Sequence, residues 1–391
     1  MAPPSVPAFT VELAADQLKG VAKGLVLSFR KLALNVFVKS PRSTLEGAPR
    51  RILVIRTDRL GDVVLTTALL RAIRQLYPQA HVAYAVKPAF VELMRAQPYL
   101  NEVFAVPDSS RSAAAVAEQL EAGARDLAID PLNGPSLVSA RLAKRSRAKA
   151  TVGYDVAGRG RFFTHPLSPP RKAHLSQEVL ETLQALNQKT DYVEPQLSPP
   201  AAMAGWVQER LSVLGLESGG FVAVVVGGFY PTQRLPAHTM GKAAAEIGRR
   251  LNKAILVIGA SGEEEQVDAV IRAALPSCKD AHPAVRLVKD VTVVQLAALL
   301  NEARLVFANN SGPVHLAAAL GRPTLSTLGP TDFIRFWPGS PQSSRSDARN
   351  RVIRLGVRCS PCNLGGCSHH TCLRAISAEQ LVAAASALVS G

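Results

Sequence analysis

The chain has 391 residues, 47% hydrophobic and 19% charged, enough to bury the cores of two ordinary domains. With 45 basic against 30 acidic residues it carries a net charge of +15, a field that draws anionic membrane surface and phosphorylated substrates; aromatic content of 5% argues against stacking on nucleic acid, which is not expected as a partner. No apolar run reaches the roughly 18 residues of a membrane span, and the first residues lack the pattern of a secretory signal, so a cytoplasmic address is expected.

Residues 1–50 read as an appendage. From Val11 to Val38 apolar residues recur near helical spacing, interspersed with Lys19, Lys23, Arg30, Lys31 and Lys39. Such a helix either packs on the body of the protein or lies amphipathically on anionic lipid.

Residues 51–195 then alternate strand and helix. The order is strand Arg51–Arg56, helix Val63–Leu76, strand His81–Val86, short helix Phe90–Arg95 and strand Glu102–Val106. Helix Ser112–Glu121, strand Leu127–Asp130 and helix Leu137–Leu142 continue it, with a further helix at His174–Asn187. Pro195, Pro199 and Pro200 mark a linker. Residues 196–391 restart the alternation: strand Phe221–Val226, helix Thr239–Leu251, strand Ile255–Ile258, helix Glu263–Leu275 and strand Val285–Val288. Helix Val293–Glu302, strand Leu305–Ala308, helix Val314–Leu320 and strand Thr324–Leu328 follow. The pattern predicts an α/β protein of two facing Rossmann-like, doubly wound domains, with ligands in the inter-domain cleft where loops leave the carboxyl ends of strands.

Three loops at such ends carry candidate chemistry. In the first, Arg56 to Asp62, Gly61 permits backbone conformations closed to other residues, and Asp62 stands where a helix begins. Aspartate there is either an N-cap or a general base aimed into the cleft. In the second, Asn309 to His315, Ser311, Gly312 and Pro313 suit an N-cap and first turn, whose unpaired amides and dipole favour a diphosphate; His315 lies on that turn. Gly329 to Asp332 follows the next strand and reaches the same rim. In the third, Gly227 to Pro236, Thr232 and Arg234 are placed for phosphate oxygens. After Ile258, Glu263 or Glu264 is placed to accept hydrogen bonds from ribose hydroxyls.

Three blocks, RILVIRTDRLGDVVLTTALLRAIRQLYP (51–78), NNSGPVHLAAALGRPTLSTLGPTD (309–332) and CSPCNLGGCSHHTCLRAIS (359–377), together resemble glycosyltransferase family 9, the ADP-heptose:lipopolysaccharide heptosyltransferases and their relatives. The resemblance implies a GT-B fold and an inverting, metal-independent transfer from a nucleotide-sugar donor, ADP-heptose, to a lipid-linked or phosphorylated glycan acceptor of lipopolysaccharide-core type. It implies peripheral action at the inner face of the cytoplasmic membrane and no required cofactor. The family's catalytic aspartate falls on Asp62, with Arg59 and Gly61 in the acceptor and phosphate loop. Its donor contacts fall on Asn310, Ser311, Gly312 and His315, its phosphate-loop threonine on Thr232, and its ribose glutamate on Glu263 or Glu264. Two positions depart from the family pattern: Asn310 stands where aspartate is common, and Gln233 where a phosphate-binding lysine is usual, with Arg234 beside it. A non-catalytic nucleotide-sugar-binding or scaffold protein is the alternative these departures leave open. The thiols Cys359, Cys362, Cys367 and Cys372, with His369 and His370 between them, either hold a structural zinc tetrahedrally or are reduced thiols of a loop.

Overall fold

Runs such as RILVIR and AILVIG are apolar on both faces, and a strand of that kind is stable only when both faces are covered. In the computed structural model they become inner strands of two parallel sheets. The structure describes residues 22–34, 47–107, 116, 118–120, 123–170, 173–278, 282–339, 341 and 349–389.

The first sheet takes β1 (Arg51–Arg56), β2 (His81–Val86), β3 (Glu102–Ala105), β4 (Leu127–Asp130), β5 (Ala150–Tyr154) and β6 (His165–Leu167) in the order β3-β2-β1-β4-β5-β6. The second takes β7 (Phe221–Val225), β8 (Ala254–Gly259), β9 (Val285–Lys289), β10 (Leu305–Asn309), β11 (Thr324–Thr327) and β12 (Asn350–Ile353) in the order β12-β11-β10-β7-β8-β9. Counted from its own first strand, each sheet reads 3-2-1-4-5-6, and the pairings are parallel throughout. The carboxyl ends of each sheet therefore share one edge. Chain direction across the sheet reverses between β1 and β4 and between β7 and β10, which opens a crevice at each of those two points.

One apolar cluster spans both halves, running from Ile52 and Val54 to Ala223 and Val306 through helices Thr67–Leu76 and Val293–Glu302. The proline-containing connection is stitched to both sides: Gln196 N–H donates to Thr67 Oγ1 at 3.1 Å, and Leu197 N–H to Ala319 O at 2.9 Å.

Several elements differ from the sequence expectation. The single helix expected at Val63–Leu76 is two, Leu60–Leu65 and Thr67–Leu76. Thr66 breaks it by donating its hydroxyl back to Asp62 O at 2.7 Å, a local bond that competes with the helical ladder. Helix His174–Asn187 tightens into a 3₁₀ turn after Glu181. Strands β5, β6 and β12 and helices Ala204–Val213 and Ala378–Val389 were not expected. Of helix Ser112–Glu121, only residues 116 and 118–120 are described, all helical. Within the N-terminal appendage residues 22–34 are helical, while 1–21 and 35–46 lie outside the described residues.

Candidate active site

β1 ends on Arg56, whose side chain turns inward and is only 1% exposed. Burying a guanidinium is costly unless carboxylates and carbonyls meet it. Here Nε lies 3.1 Å from Asp58 Oδ2, one terminal nitrogen 3.2 Å from Asp62 Oδ1, and the other donates to Pro131 O at 2.9 Å. Burial works against the Arg56 charge, but Asp58 and Asp62 outweigh it and hold the group above its ordinary value. Burial pushes the Asp58 carboxyl up, with Arg56 pulling against it. A second buried pair, Arg159 with Asp130 at the end of β4, lies under the same rim.

Asp62 is not an N-cap. Arg59 holds the cap position, and Asp62 is the third helical residue, its carboxylate paired with Arg56. Nor does Gly61 adopt the left-handed backbone that its residue type allows. Its role is close approach: a Cβ there would lie 3.0 Å from the His315 ring and 3.6 Å from Gly312 Cα. Reciprocally, a Cβ on Gly312 would meet Leu60 Cβ at 2.8 Å. The starts of helices Leu60–Leu65 and Gly312–Ala319, one from each half, thus touch almost backbone to backbone.

On the opposite rim, Asn309 fills the crevice between β7 and β10. Its amide donates to Val226 O at 2.8 Å and Gly227 O at 3.1 Å, and its carbonyl accepts Leu235 N–H at 2.9 Å, so one side chain sets the path of loop 226–235. Asn310 donates to Phe336 O at 3.0 Å, a bond that an aspartate at this position has no proton to make. Ser311 is extended at the cap position and makes no side-chain cap bond, which leaves first-turn amides of Gly312–Ala319 to a ligand. His315 is 5% exposed, and its Nδ1 has no hydrogen-bond partner among the described residues. Burial and the nearby His174 pull its pKa down to about 4, with Asp62 acting the other way, so the ring is neutral at pH 7.

A cavity of about 500 Å³ lies between the rims. Arg59, Gly61 and Asp62 line it from the first half; Arg234, Glu263, Asn310, Ser311, Gly312 and His315 line it from the second. Two predicted residues lie elsewhere. Thr232 donates its hydroxyl to Leu364 O at 2.6 Å, and Glu264 accepts from Gly262 N–H at 3.0 Å in an exposed turn, its carboxyl lowered by backbone hydrogen bonds. Glu263 is therefore the acidic side chain that reaches the cavity. Arg234 also lines it, though its Nε is committed to Gly228 O at 2.9 Å. Gln233 bonds Thr331 Oγ1 at 3.2 Å.

Sequence reading missed the aromatic part of the wall. The Arg59 guanidinium sits 3.7 Å over the Phe229 ring and donates to Tyr230 OH at 3.3 Å, bridging the two halves at the mouth. It also passed over Arg56, because an arginine at a strand end looks like a solvated terminus.

In the cysteine segment, Cys359 is exposed and Cys372 buried. Burial, followed by the three neighbouring thiols, pushes Cys372 up to about 11. Among the described residues no group of three or more His, Cys, Asp or Glu side chains is arranged to hold a metal ion. The segment braces the third loop instead: His370 Nε2 donates to Thr232 O at 2.7 Å.

Residues 113–369, about two-thirds of the chain, match the model for glycosyltransferase family 9 (heptosyltransferase). The chain is 25% identical over 291 residues to lipopolysaccharide heptosyltransferase 3 of Escherichia coli, covering 71% of this chain and 82% of that one. It is similar in structure to E. coli ADP-heptose LPS heptosyltransferase II, with TM-score 0.69 and 21% identity over 87% of this chain and 98% of the other. A glycosyl transferase of family 9 from Veillonella parvula gives TM-score 0.70 and 21% identity over 89% and 99%. The fold shared with these structures is GT-B, two facing Rossmann-like domains.

Proposed function

We propose, since the chain belongs to glycosyltransferase family 9 and is a glycosyltransferase, that it moves a heptose from ADP-heptose to a hydroxyl of a lipopolysaccharide-core or similar lipid-linked, phosphorylated glycan. In this reading the transfer inverts the anomeric centre, needs no metal ion, and takes place at the inner face of the cytoplasmic membrane. One juxtaposition supports it: a carboxylate and an uncommitted helix start, from opposite halves, line one cavity. The sugar and the acceptor class follow the names of the similar proteins.

Asp62 takes the proton of the acceptor hydroxyl. That oxygen bonds to the anomeric carbon as the bond to the diphosphate breaks, and the electron pair leaves with the nucleoside diphosphate. Arg56 keeps Asp62 ionised and aimed, because its other bonds to Asp58 and Pro131 prevent it from swinging away. The growing diphosphate charge meets the first-turn amides of Gly312–Ala319 and the guanidinium of Arg234. Preorganised donors of this kind contribute roughly 3–4 kcal/mol each at comparable sites. His315, being neutral, offers a ring N–H rather than a charge. Glu263 receives the ribose hydroxyls, and Thr232 fixes the phosphate loop against the cysteine segment.

The test is acceptor-dependent release of ADP by purified protein, with product stereochemistry read by NMR and EDTA added in parallel. The expected result is an inverted linkage at a rate EDTA does not change. A panel of ADP-, UDP-, GDP- and dTDP-sugars in which none raises the melting temperature overturns the donor site altogether.

A further inference from the structure

Helix 22–34 lies on the first half of the molecule and presents two opposite faces. A helix advances about 100° per residue, so Leu27, Arg30 and Leu34 share one side. That side is the seat. Both Arg30 Nε and a terminal nitrogen donate to Ala157 O, at 3.3 and 3.1 Å, and Leu34 packs on the core that contains Leu53 and Phe163. Gly158, at φ +89°, lets the helix sit directly on the loop after β5: a Cβ there would lie 3.1 Å from Lys31 Cα.

The other side, at the i, i+4, i+7 spacing of Leu25, Phe29 and Leu32, faces solvent, with exposures of 67%, 77% and 61%; Val26 beside them is 67% exposed. Four large apolar side chains at a surface, held there by a seated helix, require a partner. The charge around them identifies it. Between Asp16 and Glu46 the chain carries six cations and no carboxylate. A protein groove suited to an apolar stripe would carry no reason for that one-sided charge, whereas an anionic leaflet meets both features at once.

Position adds the purpose. The loop that seats the helix leaves the carboxyl end of β5, on the same sheet edge as Asp62, and Arg159 within it forms the buried pair with Asp130 of β4. We propose that helix 22–34 is a membrane-docking element, its Leu25–Phe29–Leu32 stripe lying in the interfacial region of an anionic leaflet, so that the rim bearing Asp62 is held against the surface carrying the acceptor. This deepens the reading of a lipid-linked acceptor.

The experiment is flotation of the full-length protein with phosphatidylcholine vesicles, with and without phosphatidylglycerol, for the wild type and for a Leu25→Glu/Phe29→Glu variant, each also run on a sizing column. The wild type is expected to bind the anionic vesicles about tenfold or more tightly than the neutral ones. The variant is expected to lose that binding while keeping its melting temperature and its affinity for soluble donor. Wild-type protein that does not float, a variant that floats equally well, or a wild-type dimer that the variant turns into a monomer overturns the proposal, the last by naming a second copy as the occupant. Flotation is independent of turnover, so loss of docking and loss of the transferase reading are separate outcomes.

Discussion

The two rims of the cleft solve the problem of buried polarity in opposite ways. Beneath the first sheet charges are paired: Arg56 with Asp58 and Asp62, Arg159 with Asp130. Above the second the groups are neutral: Asn309, Asn310 and Ser311 bond backbone carbonyls, and His315 is held uncharged. The difference follows the task. A proton acceptor has to stay ionised where water is scarce, and a fixed cation does that. A site for a dianion has to keep its positive potential unspent, so its amides and dipole are left without a resident carboxylate apart from Glu263 at the far wall.

The sharpest way to break this contrast is to neutralise the charged rim. Asp62→Asn is expected to lower turnover on the order of 10³-fold, as loss of a general base does, while calorimetric donor affinity is kept. A variant that turns over near the wild-type rate makes Asp62 a partner of Arg56 and nothing more.

The neutral rim is broken by acid. His315 has a folded pKa of about 4 against an ordinary value of 6.5. Above pH 6.5 neither state binds the proton; between 6.5 and 4 the unfolded chain takes a proton that the folded chain refuses, so stability falls across that window and levels off below it. One such group contributes a loss of roughly 3 kcal/mol. His174, also held near 4, chiefly by burial, adds a loss of the same sign. Urea midpoints for His315→Gln should therefore fall less steeply from pH 7 to pH 4.5 than those of the wild type; parallel slopes would mean that the ring is not buried neutral.

Asn310→Asp places a charge on the uncharged rim and deletes the bond to Phe336 O. An unfolding free energy lower by about 1–3 kcal/mol and weaker donor binding are expected. Tighter donor binding would show that the rim tolerates a carboxylate. The smallest effect belongs to the bridge between the rims. Removing the exposed Arg59 cation from Phe229 costs about 0.5–1 kcal/mol, so Arg59→Ala should raise KM a few-fold with kcat unchanged. A fall in kcat of equal size would place Arg59 at the reacting atoms.

What the sequence revealed tracks how local the cause is. Buried parallel strands announce themselves because both faces must be apolar, and β1, β7, β8 and β10 were read within one or two residues. β6 was invisible because it is a three-residue edge strand carrying Pro166, tolerated only where no partner needs the missing amide. The pairing of Asp62 and His315 with one cleft was readable from two strand-to-helix junctions. That Thr232 turns away and Glu263, not Glu264, turns in depends on the cysteine segment some 130 residues later and on a turn at Gly262, neither of which adjacent residues disclose.

Gly61 and Gly312 meet with no side chain between them. The spacing between proton acceptor and leaving-group pocket is thus set by main chain, with no rotamer to adjust it. A change of sugar has to be accommodated at walls such as Phe229, Gln233 and Phe336, while the length of the reaction path stays fixed. Choice of cargo and capacity for chemistry are in this way written at different addresses, and one can drift without disturbing the other.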